Sequence, residues 1–209
     1  MPNLTRPVEH AGCISCPLGP ERNPSRGRMS PCISGRGPAE AELVVVGEAP
    51  GKDEIALGGP FMGRSGQFLE DLLAETGISL RRVYLDNAAA CFPNTPDNAP
   101  PARAIKACQP RLFEQVRRRR PKGVVVLGGK ANSAFGGGGP VSDARGRERW
   151  VSAADLQAVL EKDRLKRDLP SVHFDPDWAR DGVYVLPAYH PAFVLRSPDR
   201  TADLKRDLA

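Results

Sequence analysis

Three short apolar runs do most to constrain the fold: LVVVG at 43–47, GVVVLG at 123–128 and VYVLP at 183–187. The first two end in glycine, and all three are continuously apolar rather than alternating. That pattern suits strands buried on both faces of a parallel sheet. A fourth strand, RVYLDNAAA at 82–90, runs into a loop. Helical periodicity separates the strands. Phe68, Leu69, Leu72 and Leu73 make one apolar face of a helix over 65–77, with Ser65 as N-cap and Gly77 as its stop. Further helices are expected over 103–119, kinked or broken at Pro110, over the short KANSAFG stretch, and over 153–165. Alternating strands and helices predict an α/β domain with a mostly parallel sheet.

With 209 residues the chain suffices for one well-buried domain. Thirty Lys and Arg against 25 Asp and Glu leave a net charge of +5, which fits a polyanionic partner without proving one. No run is long enough to span a bilayer, so no membrane role is expected. The opening MPNLTRPVEHAGC has no apolar signal segment. A cytoplasmic location is the default expectation, and in that reducing compartment cysteines at metal spacing read first as ligands.

Cys13 and Cys16 form a C-x-x-C pair, and Cys91 and Cys108 follow seventeen positions apart. Zinc is usually served by two tight knuckles. One knuckle with two single cysteines suits a [4Fe–4S] cluster equally, each iron taking one thiolate. Spacing alone leaves both metals open. Either would tie down residues 1–40, a Gly-, Pro-, Ser- and Arg-rich stretch with little periodicity. Cys32, the fifth cysteine, reads as a spare or buried thiol.

The loop GEAPGKDEIALGGPFMG starts where the first strand ends, the place where open α/β sheets bind ligands. It lacks both the dinucleotide and the phosphate-loop signatures, so a nucleotide-binding enzyme is disfavoured. Glu48 and Glu54 are candidates for holding a water, against the plain reading of solvated carboxylates. Phe61 is either a core anchor or a platform for a base. Asn87, at the end of the second strand, could read a base edge or simply cap a turn. His190 follows the last strand in a Tyr-His-Pro-Ala turn, whereas His10 and His173 lie in looser segments. The run Arg117–Arg120 reads as a solvated helix end. The loop ARGRERW at 144–150, with Arg145 and Arg147, is the better candidate for gripping a nucleic-acid backbone.

These pieces together resemble the family-4, iron–sulfur uracil-DNA glycosylases. The resemblance rests on Cys13-Ile-Ser-Cys16-Pro-Leu, VVVGEAPG (44–51), GGPFMGRSGQFLEDLL (58–73), YLDNAAACFP (84–93), Cys108, VVLGGKA (125–131), ARGR (144–147) and AYHPAFVLR (188–196). The chain departs from that pattern at Ile55, where the family has an acidic residue, at the additional Cys32, and in a longer connection over 152–181. The resemblance implies a three-layer α/β/α domain spanning 1–209 around a roughly four-stranded parallel sheet. It implies a structural [4Fe–4S] cluster on Cys13, Cys16, Cys91 and Cys108. It further implies a monomer acting on uracil in single- or double-stranded DNA. Phe61 would stack on the base, Asn87 read its edge and His190 stabilise the leaving group. Ala49, Gly51 and Glu48 would shape the sugar side, and Glu48 or Glu54 would orient water. Two other readings stay open: a protein that captures uracil-DNA without turnover, and a glycosylase for another deaminated base. The first is weakened by the absence of a histidine from SDARGRERW.

Overall fold

A computed structural model describes Cys13 and residues 16–19, 32–93, 95–161 and 182–209. The expected spread of the long connection over 162–181, with His173, and most of the N-terminal stretch, with His10, lie outside these residues.

The sheet has five strands in the order β2-β1-β3-β5-β4. β1 (Leu43–Gly47), β2 (Val83–Asn87), β3 (Gly123–Leu127) and β5 (Val183–Ala188) are parallel, as expected for the four apolar runs. β4 (Arg149–Val151) is the addition: it pairs antiparallel with β5 at the edge. It takes two residues, Arg149 and Trp150, from the stretch expected to be a loop. Three residues carry too little periodicity to announce a strand, and pairing with β5 supplies what sequence pattern cannot.

The strands alternate their side chains between two apolar layers. Val44, Val46, Tyr84, Val124, Val126 and Val185 point to one layer, where they meet Ile105, Leu112, Phe113 and Val116. These come from one long helix, Ala102–Arg119. Val45, Leu85, Val125 and Leu127 point to the other, where they meet Leu69, Leu72 and Leu73 as well as Leu204 and Leu208. The sheet is therefore sandwiched between helical layers.

In chain order the helices are α1 (Lys52–Leu57), α2 (Arg64–Glu75), α3 (Ala102–Arg119), α4 (Gly129–Ala134), α5 (Val141–Ala144), α6 (Ala153–Glu161), α7 (Pro191–Val194) and α8 (Thr201–Leu208). α2 starts at Arg64 behind Gly63, not behind Ser65. α3 runs through Pro110 without interruption. α1, α5 and α8 were not expected from the sequence, being short or flanked by glycine-rich loop.

β2 is an edge strand, and the chain covers it. Arg36 and Leu85 exchange both backbone hydrogen bonds, and Ile33 N–H donates to the Ala90 carbonyl at 2.8 Å. This blunts an edge that would otherwise be open to another strand. The Arg117–Arg120 run is largely consumed internally: Arg117 and Arg118 hold Glu114, and Arg119 lies 3.3 Å over the Tyr84 ring.

Behind the tip of β2 lies a buried ion pair. Arg111 donates Nη1 to both oxygens of Asp86, at 2.8 and 3.1 Å, and Nη2 to the Asn87 carbonyl at 2.7 Å. Asp86 is 1% exposed. Arg111→Met leaves that carboxylate uncompensated and is expected to cost about 3 kcal/mol or more. In a chain of this size that lowers the melting temperature by roughly 6–12 °C. Adding Asp86→Asn should restore part of the loss; a single variant melting with the wild type would refute the pairing.

Candidate active site at the strand tips

The C-terminal ends of β1, β2, β3 and β5 meet at one rim of the sheet. Strand order reverses between β1 and β3, which is where α/β sheets open a crevice. Gly47 and Asn87 are register partners at the ends of β1 and β2. Gly128 follows β3 and donates its N–H to Ala188 at the end of β5. His190 stands two residues beyond.

Asn87, Phe61 and His190 share this rim. A Cβ placed on Gly47 would come 2.5 Å from Asn87 Oδ1 and 2.6 Å from Phe61 Cζ, so the two side chains converge over one bare Cα. The Phe61 ring stacks toward the His190 imidazole, with centroids 6.4 Å apart and planes inclined by 23°. Gly128, at φ +89°, would put a Cβ 3.4 Å from His190 Cβ. Asn87 is 5% exposed, and among the described residues no hydrogen bond engages its side-chain amide. An amide with unspent capacity on a largely buried residue is free to pair with a ligand.

Phe61 holds an unusual backbone, φ +55°, in the left-handed region that non-glycine residues rarely adopt. Two neighbours impose it. Arg36 donates Nε to the Pro60 carbonyl at 2.8 Å and Nη2 to the Phe61 carbonyl at 3.2 Å, while its guanidinium pairs with Glu70. Gly66 in the first turn of α2 lets the Phe61 carbonyl lie where a Cβ would be, 1.9 Å from that point. Neither Arg36 nor Arg111 was singled out from the sequence. For Arg111 the one signal was its position three residues after Cys108, on the same helical face. Arg36 carried none, since it acts across distant segments.

His190 is largely enclosed by protein and only partly exposed. Burial, and then the charge of Arg196, push its pKa down to about 4. The Ala192 N–H donates to Nδ1 at 3.1 Å. Nδ1 is therefore the acceptor, and the neutral ring carries its proton on Nε2 as a donor. The hydrogen bond selects the tautomer, and burial favours the neutral ring.

The two glutamates differ. Glu54 spends its carboxylate on the loop, Oε2 accepting from Gly51 N–H at 2.9 Å and Oε1 from Gly63 N–H at 3.3 Å. Glu48 is half-buried, and among the described residues no hydrogen bond engages its carboxylate. Burial raises its pKa, opposed by Lys130. Ala49 packs against the core, and Gly51 opens α1. A cleft of about 350 Å³ adjoins the site, lined by Gly51, Glu54, Gly63, Arg64, Ala192 and Arg196 among others. A roomier cavity of about 610 Å³ lies between α3, α4, β4 and α6, and contains none of the predicted site residues.

Arg145 and Arg147 part company. Arg145 turns inward: Nε and Nη2 hold Asp207 at 2.9 and 2.7 Å, and Nη2 also reaches the Asp203 carbonyl. Its side chain is 16% exposed, and it ties the loop to α8. Arg147 is exposed.

Cys13, Cys16, Cys91 and Cys108 are all buried, and Cys32 is partly exposed. Cys16 and Cys91 pack with Leu18, Ala104 and Ala107. Burial, then Cys108 and Cys13, push the Cys16 thiol up to about 11. Burial also raises Cys108. Among the described residues no three such side chains already stand at the spacing of a metal centre.

Comparison with known proteins decides the family. The model of the uracil DNA glycosylase superfamily matches residues 34–209. The chain belongs to that superfamily. It is similar to the type-4 uracil-DNA glycosylase of Thermotoga maritima, 31% identical over 195 residues, which are 93% of this chain and 82% of the relative. It is 29% identical to the type-4 uracil-DNA glycosylase of Pyrobaculum aerophilum over 94% of this chain and 86% of the relative. The one from Archaeoglobus fulgidus is 31% identical over 84% and 77%. The matched span holds the whole strand-tip rim. No helix among the described residues is long and apolar enough to cross a membrane.

The imidazole assignment is open to direct measurement. Nitrogen-15 NMR at pH 7 should show Nδ1 bare and Nε2 protonated, with no titration until about pH 4. The unfolded imidazole takes its proton near 6.5, so this residue makes folding less favourable as pH falls from about 6.5 to about 4. A His190 inflection near 6.5 would contradict the assignment.

Proposed function

We propose that this chain is a monofunctional uracil-DNA glycosylase, which flips a deoxyuridine out of DNA and hydrolyses its N-glycosidic bond. The observation that carries this reading is the convergence of Phe61, Asn87 and a neutral Nε2–H imidazole around two glycines at the strand tips. A base inside a duplex cannot reach a rim pocket, so extrusion precedes chemistry.

The roles follow from chemistry. Phe61 offers an aromatic face to the base. The Asn87 amide, one acceptor and two donors, pairs with N3–H and O4 of uracil. Cytosine offers a donor where O4 accepts, leaving buried polar groups unpaired, and sites of that kind discriminate strongly. His190 Nε2–H donates to O2 as negative charge spreads over the departing base. A neutral donor gives up no proton and stabilises the anion in place, an effect worth about 3 kcal/mol in a dry site. Water attacks C1′, the C1′–N1 bond breaks, and uracil leaves as its anion.

With both Glu54 oxygens occupied by backbone N–H groups, Glu48 is the carboxylate left to orient that water. Glu54 shapes the loop that carries Ala49 and Gly51 on the sugar side. Ala49 has no acid, so leaving-group stabilisation carries more of the barrier. Lys130, the cation acting on Glu48, donates to the Pro100 carbonyl, which favours water over an amine as nucleophile.

Four buried thiols without a disulfide fit a [4Fe–4S] cluster, held by Cys13, Cys16, Cys91 and Cys108. When bound, the cluster supplies a cross-link between the N-terminal segment, the loop after β2 and helix α3. Arg147, with Arg64 and Arg196 on the adjoining cleft, faces the DNA backbone. Arg145 positions the loop through Asp207.

Asn87→Ala and His190→Ala should each slow single-turnover excision from uracil oligonucleotides about 100-fold. Rates within threefold of wild type would remove the pocket assignment. Glu48 predicts an acidic limb above the ordinary carboxylate range, because burial raises its pKa and only the anion orients water. Glu48→Gln should abolish that limb, leaving a slower rate that is flat between pH 5 and 8. Arg147→Ala should reduce the salt dependence of DNA binding by about one counterion. Arg145→Ala should instead lower the melting temperature.

A further inference from the structure

Cys32 stands outside the four-thiol set yet touches it. The chain backbone puts it there. Ile33 N–H donates to the Ala90 carbonyl at 2.8 Å, and this pairing sets Cys32 beside Cys91. Their sulfur atoms are 2.7 Å apart. Cys32 also lies within interaction range of Cys13. It packs against the same apolar nest of Cys16, Leu18, Cys91, Ala104 and Ala107. A fifth thiol thus lies against the proposed ligand set, on a segment that the main chain holds beside Cys91.

A cubane cluster takes one thiolate at each of four irons. Four cysteines fill it, so a fifth thiol in contact can enter only as another leaves. Sulfur atoms this close compete for one position. Resting on the cluster reading above, we propose that Cys32 is an exchangeable cluster ligand that takes the place of Cys91.

The exchange balances without an oxidant. The Cys32 thiol releases its proton and its sulfur bonds the iron. The Cys91 thiolate departs from that iron and takes up a proton. Iron and sulfide keep their oxidation states. Both cysteines lie on segments already joined through Ile33 and Ala90, so the exchange needs little movement of the main chain. Its effect is to move one tether from the loop that follows β2 to the segment that carries Arg36. That segment holds the Phe61 backbone, whereas the loop continues from Asn87.

The test measures iron and acid-labile sulfide per chain in protein purified without oxygen. Wild type, Cys32→Ala, Cys91→Ala, the double variant and Cys16→Ala are compared. Cys32→Ala should match wild type. Cys91→Ala should keep at least half of the wild-type iron and sulfide. The double variant should fall at least fivefold below Cys91→Ala, to the level of Cys16→Ala. Iron-loaded wild type beside a Cys91→Ala protein as empty as Cys16→Ala would overturn the exchange alone. Wild type carrying zinc and no iron would instead remove the cluster reading, and the exchange with it. If Cys91→Ala does not fold, native wild-type protein is alkylated and its peptides weighed. Label divided between Cys32 and Cys91 supports exchange; label on Cys32 alone refutes it.

Discussion

The rim of this sheet depends on a missing Cβ. At Gly47 the end of β1 comes so close to Asn87 and Phe61 that a single methyl group would strike both. Bare backbone there lets a strand tip, a strand-end amide and a loop aromatic share one wall. Gly128, just after β3, serves differently: its φ of +89° is one that side chains rarely adopt, while a Cβ there would only touch His190. Because β1 lies between β2 and β3, these two glycines sit on neighbouring strands. The side chains around them therefore close on one space.

Rigidity at that wall comes from groups set behind it. Arg111 neutralises Asp86 and holds the Asn87 carbonyl, so the backbone that carries the Asn87 side chain is pinned by a buried charge pair. Arg36 and Gly66 force the Phe61 backbone into a conformation it would not choose alone. Ala192 N–H selects the imidazole tautomer. Each of the three side chains is backed by a second residue, as preorganised electrostatic sites require. The thiol nest lies on the same elements, for Cys108 is three residues from Arg111 and Cys32 is four from Arg36. Cross-linking the cysteines would therefore restrain the supports of the pocket.

Much of this was legible beforehand. Continuous valine runs located β1 and β3 to within a residue, because strands buried on both faces must be apolar throughout, and an apolar run also placed β5, although the structure leaves its Tyr184 exposed. Phe61, Asn87 and His190 could be singled out because each followed such a strand or lay in the loop after one. β4, α1, α5 and α8 were hidden, being too short for periodicity to show. The two glutamates looked alike in sequence, and so did Arg145 and Arg147. Only neighbours distant in the chain separated them: Gly63 spends Glu54, and Asp207 spends Arg145.

The sequence by itself determined the α/β class, the strand tips as the place for chemistry, and four of the five thiols as a set. Those follow from local pattern and composition, which act over a few residues. The tertiary structure decided which carboxylate stays open, which arginine faces solvent, which nitrogen of His190 carries the proton, and that Cys32 lies against Cys91. Each of these is a matter of burial and hydrogen-bond partnership between remote segments, and no local pattern encodes them.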